Sequence, residues 1–548
     1  MSDQTQVPAD GSPVTRRTVL DSAHIGDIQG AFGTIGQHEL GRAGWRRRLL
    51  ALLAILGPGI IVMVGDNDAG GVSTYSQAGQ NYGTSLLWVL VLLIPVLIVN
   101  QEMVIRLGAV TGVGHGKLIF ERFGKFWGAF SVGDLFILNF LTIVTEFIGV
   151  DLALGYFGVS KYISVPLAAL TLVAVTASGS FRRWERFMFV FIAANVLVIP
   201  LLVMSHPSAG SVVRHTTVPG IQGGVTSTSI LLIIAMVGTT VAPWQLFFQQ
   251  SNIVDKRITT RWINYERADT WIGAFVCVLA AGALICITAF AFGGTPLAGN
   301  FTDAGGVATG LQHYLGNAAG AMFAILLLNA ALIGAAAVTL ATSYAVGDVF
   351  GLRHSLHRGI LDAKAFYASF CGFVILAAAI VLIPGAPLGV ITTAVQALAG
   401  VLLPSASMFL LLLCNDKEVL GPWVNRPWLN LLAVFILGVL LVLSGILMAT
   451  VLFPTINVTE LTVVLGGLLL VGLIGFAIVA ALRGRSGAAV PAPRLDKAQR
   501  ETWTMPQLAF LGRPTMSRPV KLAMWTLRIY LVISVLLLIV KAVQLGTK

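Results

Sequence analysis

Seven carboxylates stand inside long apolar runs of this chain: Asp66, Asp68, Glu102, Asp134, Glu146, Asp151 and Asp348. A carboxylate in hydrocarbon is costly, and it marks a functional path or a buried partner. Almost no Lys or Arg shares those runs, and Arg106 sits near the end of one. Carboxylates with few fixed counter-ions point to a mobile cation. For Asp134, Asp151 and Asp348 a second reading stays open, that they are protonated or lie at helix ends near water. The densest group is Gly65-Asp66-Asn67-Asp68-Ala69-Gly70-Gly71, preceded by Gly57-Pro58-Gly59. Two carboxylates, an amide and a glycine pair in mid-run should unwind a helix. An unwound segment exposes carbonyl oxygens and the negative end of the preceding half-helix, both suited to a cation. It is tolerated only where it lines a cavity. A second break is expected at Gly238-Thr239-Thr240-Val241-Ala242-Pro243-Trp244-Gln245, where Pro243 removes a backbone donor and frees a carbonyl near Thr239.

The elements that must hold these groups are membrane helices. Of 548 residues, 56% are hydrophobic and 11% charged, against about 25% charged in soluble domains. With a mean hydropathy of +0.86, this excludes a water-soluble enzyme, a disordered chain and a coiled coil. Apolar spans are expected near 49–78, 84–107, 126–157, 162–178, 184–205, 226–252, 270–293, 318–350, 363–384, 388–413, 428–450 and 460–482, with a thirteenth run at 523–540 that either crosses or lies in the interface. The fold class is therefore an all-α polytopic membrane protein. Arg46, Arg47 and Arg48 close a polar tail, and every second loop is basic: Lys117, Arg122 and Lys125; Arg182, Arg183 and Arg186; Lys256, Arg257, Arg261 and Arg267; Arg353, Arg358 and Lys364; Lys417 and Arg426. The alternate loops hold only Lys161 and Arg214. This contrast places the N-terminus in the cytoplasm and accounts for the net charge of +11 without nucleic acid. The layout reads as a cytosolic tail (1–48), a first five-helix repeat (49–205), a second (226–413), accessory helices (428–482), a basic linker (483–522) and a final apolar segment (523–548). The tail lacks a signal-peptide pattern. Cys277, Cys286, Cys371 and Cys414 read as small hydrophobes.

Broken helices opening the first and the second group of five spans are the signature of an inverted-repeat transporter with a midplane site. The residues from Gly57 to Gly71, followed by Gln77-Ala78-Gly79, resemble the first helix of NRAMP-type divalent-metal transporters, whose unwound motif is Asp-Pro-Gly-Asn. Arg106 to Gly112, Glu146-Phe147-Ile148-Gly149, and Pro404 to Asn415-Asp416-Lys417 extend the resemblance over roughly residues 50–420. It implies the LeuT-type fold, a 5+5 inverted repeat with discontinuous helices 1 and 6 plus extra C-terminal helices. The family's metal-binding Asp falls on Asp68, its Asn on Gly71, and the sixth-helix Met-Pro-His on Ala242-Pro243-Trp244. The acidic residue one turn before Glu146 falls on Ile143. The family's span-ten glutamine falls on Leu402, with Gln396 further up the helix.

Losing a thioether and an amide leaves oxygen ligands and more room. Hard cations want oxygen, and Mg²⁺ sheds water reluctantly. All eight histidines (His24, His38, His115, His206, His215, His313, His354 and His357) lie outside the span cores or at their edges. The pattern resembles the NRAMP-related magnesium branch, which implies Mg²⁺ and also Mn²⁺ as cargo, no proton coupling, no resident cofactor and the lipid bilayer of a bacterial plasma membrane as surroundings. Asp68 is expected as principal ligand, with carbonyls near Thr239 and Ala242 and with Glu146 nearby. Glu146 can equally serve as a structural hydrogen-bond acceptor. Asp66, Asn67, Gly71, Trp244, Gln245, Gln250 and Gln396 are expected around the vestibule, Trp244 packing or gating. Thr392 and Thr393 are weaker candidates, because membrane hydroxyls often bond their own helix. Three rivals stand beside this reading. They are a proton-coupled Mn²⁺/Fe²⁺ importer, a Na⁺-driven amino-acid transporter whose substrate carboxylate Asp66 and Asp68 would repel, and a metal sensor without flux.

Overall fold

The computed structural model describes residues 21–37, 44–385, 388–453, 456–486 and 496–512, with scattered residues from 514 to 536. The first part of the tail, much of the 483–522 linker and most of the 523–548 segment lie outside the described residues. The first span is in three pieces, α1 (Gly44–Ile55), α2 (Pro58–Gly65) and α3 (Ala69–Tyr82), with α1 and α2 bent by 51°. Pro58 opens α2, where its missing N–H costs nothing. Then come α4 (Leu87–Thr111), the short α5 (His115–Phe123), α6 (Lys125–Tyr156), α7 (Lys161–Thr176), α8 (Phe181–Ala194) continued by α9 (Val198–Met204), and the short α10 (Ala209–Thr217). The sixth span is broken into α11 (Ser227–Thr240) and α12 (Pro243–Asp255), followed by α13 (Ile263–Phe292), the short α14 (Ala304–Leu315), α15 (Asn317–Phe350), α16 (Lys364–Val381) and α17 (Leu388–Cys414). The one-turn α18 (Lys417–Leu420) leads to α19 (Pro427–Leu452), α20 (Val458–Ser486) and the short α21 (Lys497–Thr502).

Ten of these described helical stretches are long and apolar enough to cross a membrane. The broken first span and the shorter apolar α7 add to them. Boundaries fall within a few residues of expectation except at α13, which starts at Ile263 because its polar first turns, with Glu266 and Asp269, continue the helix on the basic side. The core forms where small residues let helices approach. The pairs α6 with α15, α11 with α17, and α13 with α2 and α3 pack along their lengths. Val463, Leu468 and Val471 on α20 are exposed, as a lipid-facing helix requires.

The polar tail is more than a tail. Residues Ile28–Gly30 (β1) and Gly33–Ile35 (β2) form an antiparallel hairpin against α1 and α8. Ile28 is fully buried. Asp21 accepts from Arg358 (2.6 and 2.9 Å) and from the His354 backbone N–H (3.0 Å). His24 Nε2 bonds the His354 carbonyl at 3.0 Å and lies 3.5 Å from Asp255. Asp255, at the end of α12, also accepts from Tyr344 (2.5 Å) and the Leu356 N–H (2.9 Å). The hairpin thus ties α1, α8, α12 and the α15–α16 loop together on the basic face. The sequence reading saw only polarity in this stretch.

Candidate metal site between the broken helices

Both breaks come from local chemistry. After Gly65, Asp66 and Asn67 continue as a turn, and Asp68 takes an extended conformation that caps α3, its Oδ1 accepting from Gly71 N–H at 2.7 Å. In the sixth span α11 ends at Thr240, Val241 and Ala242 are non-helical, and Pro243 starts α12. The pieces meet through Tyr75 and Thr240, whose hydroxyls lie 2.7 Å apart.

Around the first break the structure gathers Asp66, Asp68, Gly71, Thr239, Gln245, Glu146 and Gln396, with Ala242 at the second break beside them. Asp66 and Glu146 are fully buried, and Asp68 is 2% exposed. The Asp68 and Glu146 side chains meet the same point of α15, Gly334. Glu146 Oε2 accepts from Ala69 N–H at 3.0 Å while Oε1 has no partner. Both readings of Glu146 therefore have a basis, one oxygen holding the unwound backbone and the other free. Helix α15 admits the pair through Gly334, where a Cβ would lie 2.5 Å from Glu146 Oε2 and 2.7 Å from Asp68 Cβ. At Gly71 a Cβ would meet the Asp66 carbonyl oxygen at 2.6 Å and Thr239 Oγ1 at 3.1 Å. Two oxygens thus flank the place where the sequence comparison put an amide. The expected extra room is filled by backbone here.

Among the described residues, several buried polar atoms at this level lack hydrogen-bond partners: Asp66 Oδ2, Glu146 Oε1, Thr239 Oγ1 and Gln396 Nε2. Buried polar atoms are almost always satisfied, so each of these four is open to a partner that the described residues do not supply. No group of three or more His, Cys, Asp or Glu side chains poised for a metal occurs among the described residues. A cation here must therefore draw on carbonyls, hydroxyls, amides or its own water beside the carboxylates.

Two expectations are corrected. Asn67 does not face the vestibule: its Nδ2 donates to the Cys277 carbonyl at 3.1 Å, anchoring the break to α13. Gln250 points away as well, bonded to His115 Nδ1 (2.9 Å) and the Val113 carbonyl (2.7 Å), because it lies on the opposite face of α12 from Gln245 and Gln249. Gln396 of the expected vestibule set lies at the first break, its amide against Gly70. Leu402 packs with Leu138, Leu398 and Ala399, roughly 9 Å further along α17. Trp244 packs on Phe248, with ring centroids 5.9 Å apart. Thr392 and Thr393 bond their own helix, at 2.9 and 3.2 Å. Gln245 donates to Asp66 Oδ1 and to the Thr240 carbonyl (3.1 Å), bridging both breaks.

A buried ionic group without a clear sequence signature lies below the site. Lys256, read as a loop cation, is fully buried and donates to Glu185 (2.5 Å) and to the Ile55 and Leu56 carbonyls (2.7 and 2.9 Å). Asp269 caps α2, accepting from Gly57, Gly59 and Ile60 N–H at 3.0, 2.8 and 3.2 Å. The spacing Glu266 to Asp269 on one helix face was the available signal. Other carboxylates also have fixed partners, Asp348 with His354 (3.0 Å) and Glu102 with Arg106 (2.8 Å) and Arg267. Asp134 Oδ2 has no hydrogen-bond partner among the described residues.

The profile of the Nramp family, natural resistance-associated macrophage protein-like, matches residues 59–450. The chain belongs to the Nramp family. Relatives include the divalent metal cation transporter MntH of Burkholderia ambifaria, 26% identical over 399 residues, covering 70% of this chain and 86% of that protein. The MntH of Ralstonia nicotianae is 29% identical over 394 residues, covering 68% and 86%. Among solved structures, a mutant of the Eremococcus coleocola manganese transporter aligns with a TM-score of 0.61 at 20% identity, over 84% of this chain and 99% of that one. The expected fold class, all-α with the LeuT-type 5+5 repeat and broken helices 1 and 6, stands. In this Nramp chain the breaks carry Asp68 and Ala242-Pro243-Trp244.

Proposed function

We propose that this Nramp protein moves divalent metal cations across a bacterial plasma membrane by alternating access. In this reading Mg²⁺ is the principal cargo, Mn²⁺ is also carried, and no proton is coupled. The N-terminus and the basic face lie in the cytoplasm, in keeping with the Lys and Arg contrast between alternate loops. The relatives' printed names support divalent metal cations as the cargo class. The observation that carries the choice of Mg²⁺ is the composition of the unsatisfied shell. Asp66 Oδ2, Glu146 Oε1 and Thr239 Oγ1 are all hard oxygen donors, and Ala242 brings no thioether where the family carries one. Such a shell favours hard cations over softer transition metals. Asp68 is the anchoring ligand, with Glu146 beside it and Gln396 and the Ala242 carbonyl at the rim. The thiol of Cys277 is held against Asn67 Oδ1 at 3.8 Å and is not counted as a ligand.

The absence of proton coupling rests on the sixth-span position held by Trp244 and on Ile143 one turn before Glu146. The Asp68–Glu146 pair favours the rival, since adjacent carboxyls can carry a proton. Purified protein in liposomes with an internal pH dye separates the two. Mg²⁺ and Mn²⁺ entry without internal acidification supports the proposal, and acidification stoichiometric with metal entry overturns its uncoupled part. Competition adds the metal class. Excess Mg²⁺ should suppress Mn²⁺ uptake, and indifference to Mg²⁺ would refute the hard-cation reading.

A further inference from the structure

A ladder of buried amides descends from the metal site toward the basic face. Gln245 bonds Asp66 at the break. One helical turn on, about 6 Å away along the same face of α12, Gln249 Nε2 donates to Glu266 Oε1 (3.3 Å) and Thr270 Oγ1 (2.8 Å). Glu266, Gln249 and Asp269 are all fully buried.

Around Glu266 stand two further carboxylates, Glu185 and Asp269, and one ammonium, Lys256. The Lys256 ammonium is spent on Glu185 and two carbonyls. Asp269 is spent on three α2 amides. Glu185 accepts from Lys256 and from the Ala31 N–H of the hairpin. Among the described residues Glu266 makes no ion pair, and its Oε2 has no hydrogen-bond partner. Independently, the Gln249 carbonyl oxygen, on the amide that already touches Glu266, has no partner either. Two side chains already joined through Gln249 Nε2 and Glu266 Oε1 thus each keep an oxygen unsatisfied among the described residues.

We infer that Glu266 and Gln249 form a second cation station, between the broken helices and the basic face, that receives the divalent cation after it leaves Asp68 and Asp66. This rests on the transport reading. Two protein oxygens fill only part of a six-coordinate shell, so the ion there keeps most of its water. A loosely held hydrated ion suits a transit point, because binding must be weak enough to release.

The station predicts a one-sided effect. In liposomes with the protein in defined orientation, KM for Mg²⁺ is measured from each face. Glu266→Gln should raise KM at the basic face about tenfold and leave the opposite face within about twofold, since a station near one mouth is met first only from that mouth. Glu266→Asp should restore most of the loss. Gln249→Leu should raise the same KM about threefold, and it decides the matter if Glu266→Gln fails to fold. Equal KM changes at both faces, or none, would overturn the station, as would unaltered basic-face KM in Glu266→Gln if the group carries only a proton. Asp68→Ala separates the two claims. Wild-type uptake abolished by Asp68→Ala with a symmetric Glu266→Gln leaves transport standing and removes the station. Wild-type protein with no metal uptake at all removes both.

Discussion

Asp21→Asn should release the N-terminal hairpin. The Asp21 carboxylate receives Arg358 Nη2 at 2.6 Å and Nε at 2.9 Å, together with the His354 and Ala23 amides at 3.0 and 2.9 Å. Burial works against its charge, but Arg358 and the Ala23 amide outweigh it and hold the carboxyl at about 2, below the ordinary 3.8. A shift of that size corresponds to roughly 2.5 kcal/mol. Because the Arg358 side chain is 20% exposed, solvent screening reduces this to about 2 kcal/mol. The sign is that of a depressed carboxyl: the contribution is present above about pH 4 and lost as pH falls through about 2. At neutral pH the neutral asparagine therefore forfeits it, and a loss of about 2 kcal/mol is a roughly 30-fold rise in hairpin opening. Hydrogen exchange followed by mass spectrometry reads this directly, because amides of Ile28 to Ile35 exchange through local opening. The expected result is exchange about 30-fold faster in that segment with α6 and α15 unchanged. Unchanged exchange in Asp21→Asn would show that burial of Ile28, and not the ion pair, holds the hairpin.

Lys256→Met should destabilise the detergent-solubilised protein by about 3–5 kcal/mol, because it strands Glu185 in a fully buried site; adding Glu185→Gln should recover most of that in a thermal melt. Gly334→Ala should cut metal uptake about tenfold or more with the protein still monodisperse, since the new Cβ intrudes between Glu146 and Asp68; near-normal uptake would show that α15 yields at that point. For His354, burial disfavours the charge but Asp348 at 3.0 Å overcomes it and holds the imidazole at about 9. Its stabilisation, about 3 kcal/mol, is present below about pH 6.5 and lost as pH rises through about 9, so melts of His354→Gln should lack the wild-type decline over that window.

Much of the architecture was legible because hydrocarbon demands long apolar runs, and all of the twelve but the α13 span begin and end within a few residues of expectation. Both helix breaks announced themselves through residues that disfavour a continuous helix, the Asp66 to Gly71 cluster and Pro243. What sequence could not supply was direction around each helix. Asn67 and Gln250 sit within reach of the site in sequence yet face Cys277 and His115, since a neighbouring position on a helix turns by about 100°. Gln396 was among the expected vestibule residues, but its place against Gly70 depends on how α17 packs on α11, through contacts such as Gly400 against Ile234. Lys256 was hidden by its chemistry: a lysine among Arg257, Arg261 and Arg267 reads as a loop cation, and only the bundle brings Glu185 to it. The hairpin was hidden for a similar reason, its burial arising from α1 and α8 and not from its own composition.

The central claim is that a divalent metal ion crosses the membrane by way of Asp68. The most direct measurement is Mg²⁺ uptake into liposomes by the wild-type protein and by Asp68→Ala at equal reconstitution. Saturable wild-type uptake, inhibited by Mn²⁺, is expected, with the variant at the level of empty liposomes. Equal uptake by the two proteins, or wild-type protein that takes up neither Mg²⁺ nor Mn²⁺, would contradict it.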